Sequence, residues 1–265
     1  AGNVSAPGSD SATLDTTATA APTVTITTDA NNDGLISGAE QGSATTDAVR
    51  IGLPAGAQVG DTLTISNGAT SQTHVLTAGD LTNNYYDTSF AKPAEGGTLT
   101  VTATLTDKAG NVSAPGSDSA TLDTTAPTIT VSAPDNTADT TPTITGTTNA
   151  PDGSVVTVEV TDASGAKQTL TGTVSGGTYS VTPGTALAEG SYTATATVKD
   201  PAGNPGQATD LGNVNTAAPT ITVSAPDNTQ DTTPTITGTT NAPDGSTVTV
   251  EVTDASGAKQ TLTGT

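Results

Sequence analysis

The chain has 265 residues, with 26 Asp and Glu against 6 Lys and Arg, a formal charge of −20 and a pI near 4.1. A nucleic-acid surface needs Lys and Arg to meet phosphates, and an anionic membrane would repel this chain, so neither nucleic acid nor direct membrane insertion is expected. Cysteine is absent, which removes disulfides and thiolate metal sites, and Leu, Ile, Val and Phe number only 42, so folding has to offset strong self-repulsion.

Residues Ala1 to Ala18 recur letter for letter at Ala109 to Ala126, and Thr128 to Thr173 recurs at Thr220 to Thr265 with only Ala138/Gln230 and Val155/Thr247 changed. Repetition this close marks a tandem array. The array divides into 1–18, expected to be the last strand of a preceding repeat plus a linker; 19–124, a first whole unit; 125–216, a second; and 217–265, the N-terminal part of a third. Opening and closing inside a repeat, the chain reads as an excerpt from a longer polypeptide. No apolar run reaches the roughly 18 residues of a membrane span.

In the first unit, Thr23-Val-Thr-Ile-Thr27 alternates with period 2 and predicts a strand. The next segment, Asp29-Ala-Asn-Asn-Asp-Gly-Leu-Ile-Ser-Gly-Ala-Glu40, is a 12-residue calcium-loop pattern. Calcium takes six to eight oxygens. The loop offers them at Asp29, Asn31 and Asp33, the Leu35 carbonyl, Ser37 and Glu40, with Gly34 where the chain must turn sharply. A strand at Ala48-Val-Arg-Ile51 follows, so the loop is expected to join strands rather than the helices of an EF-hand. The bland alternative is a solvated acidic turn. Further on, Gln72-Thr-His-Val-Leu76 alternates like a strand, and no nucleophile-elbow motif accompanies His74, the only imidazole, so an enzyme is not expected. Tyr85-Tyr86 is the one aromatic pair that could stack on a sugar; adjacent strand residues point to opposite faces, which assigns one of the two to the core. Thr98 to Thr106 closes the unit's pattern with a long alternating strand.

The second unit predicts seven strands near 128–132, 143–149, 155–162, 168–174, 178–182, 192–200 and 206–214. They are separated by turn signals at Pro151-Asp-Gly153, Ala163-Ser-Gly165, Ser175-Gly-Gly177 and Ala202-Gly-Asn204. Seven short strands in about 90 residues give an all-β fold of tandem immunoglobulin-like β-sandwich domains, arranged as an extended rod. Tyr192, at the start of the sixth strand after Glu189-Gly190, has the placement of a tyrosine corner. In such a topology the A–B loop lies at the end where the chain leaves, and the B–C and F–G loops lie where it enters. The 29–40 loop then faces Asp152, Asp200 and Asn204 of the next unit across the connector Asp123, and shared calcium at that junction is expected.

The strings Thr106-Asp-Lys-Ala-Gly-Asn111 and Lys199-Asp-Pro-Ala-Gly-Asn204, with the Asp-Thr-Thr-Ala-Pro connector, resemble the bacterial Ig-like repeats of giant type I-secreted (RTX-type) biofilm and host-cell adhesins. That resemblance implies a calcium-stiffened extracellular stalk on a bacterial cell surface. Its partners would be neighbouring repeats of the same chain, and its adhesive tip and tip ligand would lie outside this segment. It also adds Asp107 and Asn111 to the metal-ligating residues. A carbohydrate-binding accessory module of a secreted bacterial protein is the alternative. One departure is Asn215-Thr-Ala-Ala-Pro219, where the second connector carries Asn for Asp, so a weaker calcium site is expected there.

Overall fold

The computed structural model describes residues 1–265. The first unit runs β1 (Thr23–Ile26), β2 (Leu35–Ile36), α1 (Gly38–Gln41), β3 (Thr46–Gly52), β4 (Thr62–Ser66), β5 (Ser71–Val75), α2 (Ala78–Asn83), β6 (Tyr85–Ala91), β7 (Thr98–Thr106) and β8 (Gly116–Leu122). One sheet has the order β1-β3-β6 and the other β2-β8-β7-β4-β5. Alternation builds the core between them. In β7, Leu99, Val101, Ala103 and Leu105 are buried while Thr98, Thr100 and Thr102 face solvent. They meet Ile26, Val49 and Ile51 of the facing sheet, all essentially inaccessible. Each such Leu, Ile or Val side chain contributes about 1.5–3 kcal/mol by burial.

The second unit runs β9 (Ile144–Thr147), β10 (Val155–Thr161), β11 (Lys167–Thr173), β12 (Thr178–Val181), β13 (Gly190–Lys199) and β14 (Pro205–Val214). A four-stranded sheet, β11-β10-β13-β14, faces the pair β12-β9. Six of the seven expected strands form ladders. The seventh, near 128–132, makes only the bridges Ile129↔Thr148 and Ser132↔Thr145. Its Thr130 carbonyl goes to the Tyr179 hydroxyl, 2.6 Å away, so that oxygen is drawn out of the ladder.

In the third segment, β15 (Ile221–Ser224) pairs with β16 (Thr237–Thr240), and β17 (Val248–Thr253) with β18 (Lys259–Gly264). Its apolar residues stay open: Val223 is 65% exposed, whereas Val156, Val158 and Val160, whose counterparts are Val248, Val250 and Val252, are fully buried. Residues 1–22 form no strand, although the letters of 8–14 are those of β8. The expected last strand of a preceding repeat has no ladder here because no partner strand lies beside it. No helix is long and apolar enough to cross a membrane.

Tyr192 is not a local corner. Its ring lies on Gly212, where a Cβ would come within 2.3 Å, and its hydroxyl donates to the Pro134 carbonyl at 3.1 Å, so it pins the long A–B segment to β13. Tyr179 repeats the device over Gly146 with the Thr130 carbonyl. Burial pushes both phenols up to about 12, and the Asp135 and Asp210 charges add to the rise at Tyr192. Both folded values lie above the ordinary value near 10, so the stability these tyrosines contribute is complete below about pH 10 and is lost as pH rises toward 12. The 125–216 unit should therefore unfold in that window, followed by circular dichroism and tyrosinate absorbance. Tyr179→Phe with Tyr192→Phe should flatten the dependence; melting independent of pH across the window in the parent protein would contradict it.

Candidate functional site at the joint between units

The 29–40 excursion leaves β1 and is wound by its own amides. Asp29, 5% exposed, accepts from Asp33 N at 3.2 Å and Gly34 N at 2.8 Å. Asn31 accepts from Asp33 N and donates to Asp33 at 2.9 Å, and Asp33 accepts from Leu35 N. Asn32 (φ 57°) and Gly34 (φ 86°) supply the left-handed turns that bring these groups round.

The exit differs from the expectation of strands alone. Ser37 caps the single turn α1, with Glu40 closing a capping box through Ser37 N at 2.9 Å and Ser37 Oγ at 2.8 Å. The other Glu40 oxygen accepts from Ala30 N and Asn31 N. Burial opposes these bonds at Glu40, yet the Ser37, Asn31 and Ala30 donors together hold its carboxyl below the usual range.

The middle of the loop is stitched to the other sheet. β2 pairs parallel with the end of β8, the Gly34 carbonyl accepting from Thr121 N and the Ile36 carbonyl from Asp123 N. Alternation then turns the Leu35 carbonyl to the side away from β8. The donor set is all oxygen, and ionised carboxylates keep acceptor capacity beyond one or two amide bonds, so its chemistry fits a hard cation. In this arrangement the acids are held by amides, and no three Asp, Glu or His side chains gather around one point.

The same excursion meets the second unit. Gly38 N donates to Asn204 Oδ1 at 2.7 Å, while Asn204 Nδ2 donates to the Asp123 carbonyl at 2.8 Å and to Asp200 at 2.9 Å. Asn204 is 5% exposed. One amide thus joins the loop of the first unit, the connector and the turn before β14. Glycine at position 38 eases this approach: a Cβ there would stand 3.2 Å from Asn204 Oδ1, so the asparagine would have to give way by a few tenths of an ångström.

Glu95 completes the joint. It accepts from Thr124 and Thr125 through their amides and hydroxyls at 2.7–3.2 Å, and these donors, led by the Thr124 side chain, lower its carboxyl. Sequence reasoning missed this clamp. Its signal is the Glu-Gly pair before the sixth strand facing a Thr in the connector, repeated where Thr216 donates to Glu189 at 2.7 Å.

Of the other residues expected to ligate metal, Asp200, Asn204 and the Asp123 backbone come together at this joint. Asp152 does not join them; Gly177 N, inside the second unit, donates to it at 3.4 Å. Asp107 and Asn111 lie at the opposite end of the first unit, where Asn111 donates to Asp107 and to the Asp15 carbonyl at 3.2 Å. That copies the Asn204, Asp200 and Asp123 arrangement with a connector of the same letters. Each ring of the aromatic pair has one face taken. Tyr86 packs on the core and stacks on His74 at 3.9 Å; Arg50, paired to Asp87, covers Tyr85 at 3.8 Å. His74 meets Asp80, whose carboxyl the Thr77 hydroxyl and then His74 hold down at about 2.

These features define tandem Ig-like β-sandwiches joined end to end. The model of the bacterial Ig-like domain family matches residues 128–223. The chain is similar to the tetra-tandem repeat in the extending region of a large adhesion protein, with 28% identity over 92% of this chain and a TM-score of 0.35; it covers 62% of that chain, less than two thirds. A second similar structure concerns host cell surface retention of a 1.5-MDa bacterial ice-binding adhesin, with 26% identity, 76% of this chain, 67% of that chain and a TM-score of 0.40. The fibronectin(III)-like modules of Clostridium thermocellum CbhA share 14% identity over 64% of this chain and 85% of theirs, with a TM-score of 0.41. No curated protein sequence shows significant similarity to the chain.

Asn204→Ala removes two bonds between units, each worth about 1 kcal/mol net, and leaves each core intact. The expected result is a broader distance distribution between spin labels placed on the two units, with both units still folded. Asn204→Asp, which keeps an acceptor for Gly38 N but cannot donate to the Asp123 carbonyl, should fall between. A distribution unchanged in Asn204→Ala would show that the amide does not set the joint.

Proposed function

We propose that this chain is a structural extender, a stalk segment of a large bacterial surface adhesin exported by type I secretion, which holds an adhesive tip away from the cell for attachment or biofilm formation. The observation that carries the reading is the Asn204 joint, where one buried amide ties loop, connector and next unit together. A spacer has to pass its direction from unit to unit, and this contact does so. Near-identity of the repeats supports the same role, since a spacer gains from copy number while a binding site is concentrated in one unit. The extending region of a large adhesion protein, to which the chain is similar, is the setting this reading implies.

Calcium belongs to the proposal. Asp29, Asn31, Asp33, the Leu35 carbonyl, Ser37 and Glu40 would hold it, and its charge would offset the repulsion among the loop's carboxylates. Because Gly38 lies in the same excursion and donates to Asn204, ordering the loop also orders the joint. A ligand that binds only the folded state stabilises by about 2.7 kcal/mol at 100 times its Kd. Chelation should therefore lower the melting temperature of the first unit, Asp33→Ala should mimic chelation, and small-angle scattering should show a less extended chain. An unchanged melting temperature in EDTA would remove calcium from the account; a chain equally bent with and without calcium would remove the extender itself.

A further inference from the structure

The entry end of the first unit carries an uncovered copy of the joint. The turn Asp107-Lys-Ala-Gly-Asn111 matches Asp200-Pro-Ala-Gly-Asn204 and folds the same way: the amide and Nδ2 of Asn111 both donate to Asp107 at 2.9 Å, as those of Asn204 do to Asp200 at 2.8 and 2.9 Å. In both turns Nδ2 also reaches the connector, at the carbonyl of Asp15 (3.2 Å) and of Asp123 (2.8 Å). Even the connector's own bond recurs, Thr17 N donating to Asp15 as Thr125 N does to Asp123. The two turns part at one atom. Asn204 Oδ1 accepts from Gly38 N, while no group donates to Asn111 Oδ1. Burial follows the same division: Ala202 and Asn204 are 6% and 5% exposed, whereas Ala109 is exposed and Asn111 half-buried.

The letters that lead into this turn select what covers it. Ala1 to Ala18 repeat Ala109 to Ala126, the last strand and connector of a unit whose excursion is stitched to them, Thr121 N and Asp123 N donating to the Gly34 and Ile36 carbonyls. Thr13 and Asp15 stand at the same two places. The second unit ends on other letters, Asn215-Thr-Ala-Ala-Pro219, and has no helical turn between β8 and β9 to present an amide as α1 presents Gly38. Charge agrees with this choice. Where the second unit has Pro201 this turn has Lys108, one of six bases in the chain, and the segment 29–40 carries three acids and no base.

We propose that the entry face of the first unit, Asp107 to Asn111 with Asp15, docks the exit end of another unit of its own kind, whose Gly38 amide donates to Asn111 Oδ1. The partner is an excursion-bearing unit and not a unit of the second kind. This rests on the Asn204 joint as the device that aligns units, and adds that the entry turn is common to both kinds of unit while the exit belongs to the first alone. An excursion-bearing unit thus precedes either kind through the same bond.

The test extends the full chain by a second copy of residues 19–108 placed ahead of Ala1; since 1–18 repeat 109–126, this completes a unit of the first kind upstream. Spin labels on the added and first units should give a distance distribution as narrow as that between the first and second units. Asn111→Ala should broaden the upstream distribution alone, Asn204→Ala the downstream one alone, and amide exchange at Gly38 of the added copy should quicken about fivefold in Asn111→Ala. An upstream distribution that is broad in the extended parent, or that Asn111→Ala leaves unchanged, overturns the proposal. So does an added copy that does not fold, because 1–18 then cannot be its last strand. Residues 125–216 joined to Thr19 in its place should leave the distribution broad, and a narrow one there overturns the choice of partner. Where Asn204→Ala acts and Asn111→Ala does not, the extender reading stands and this docking alone fails; where neither acts, both fall.

Discussion

Twenty-six acids share six bases in this chain, so most carboxylates have to be held by something other than a cationic side chain. Backbone amides do it. Asp118 on β8 accepts from Ile26 N at 2.7 Å, and Asp210 on β14 accepts from Ala133 N at 2.9 Å, so an acid on the last strand fastens the first segment in both units. Asp107, Asp162 and Asp200 close their own turns, and Glu95 takes the connector. A carboxylate that accepts charge-assisted bonds from amides also stiffens the backbone around it. The acidity that opposes folding as a field thus becomes, locally, the means by which loops and connectors are fixed. Lys and Arg ion pairs, by contrast, are few and exposed, and exposed pairs contribute little.

The second constraint is that a strand exists only beside a partner. The letters of Gly116 to Leu122 form β8 between β7 and β2, while the same letters at 8–14 form nothing. Likewise Ile144 is fully buried because β12, β13 and β14 close the second sandwich, whereas Ile236, its counterpart, stays half exposed. Period-2 alternation therefore revealed which segments can be strands, and six of the seven in the second unit formed ladders. What it could not reveal was pairing. β2 is two residues long and makes its parallel ladder only because the excursion passes the end of β8. The Tyr192 partner lies 58 positions away in the chain, beyond any local corner pattern.

The candidate site was legible in part for the same reason. Oxygen donors at fixed spacing mark 29–40 as a candidate calcium loop without any knowledge of contacts, and Asp200 with Asn204 was expected at the joint from topology. Sequence reasoning nevertheless treated these Asp and Asn side chains as ligands alone, and gave no weight to an amide that both donates and accepts. Asn204 uses both functions, toward Asp123 and toward Gly38. Asp47 was not legible at all: an Asp in a short alternating strand reads as a surface residue, whereas its place on the inward face of β3 buries it and pushes its carboxyl up.

These observations divide the joint into two physically different parts. The Asn204 bonds to Gly38 and to the Asp123 carbonyl are neutral and short-ranged, so salt acts on them only through the segments they connect. The 29–40 loop is the opposite, a concentration of carboxylate charge held by backbone amides. Gly38 belongs to one part by sequence and to the other by contact, being in α1 and bonded to Asn204. A loosened loop displaces Gly38, and a displaced Gly38 leaves a buried asparagine oxygen without its donor, a cost comparable to the bond itself. Loop order and joint order are therefore linked states of one contact. Where connector, Asp-x-Ala-Gly-Asn turn and loop all recur, a chain of such joints has a stiffness that is set unit by unit.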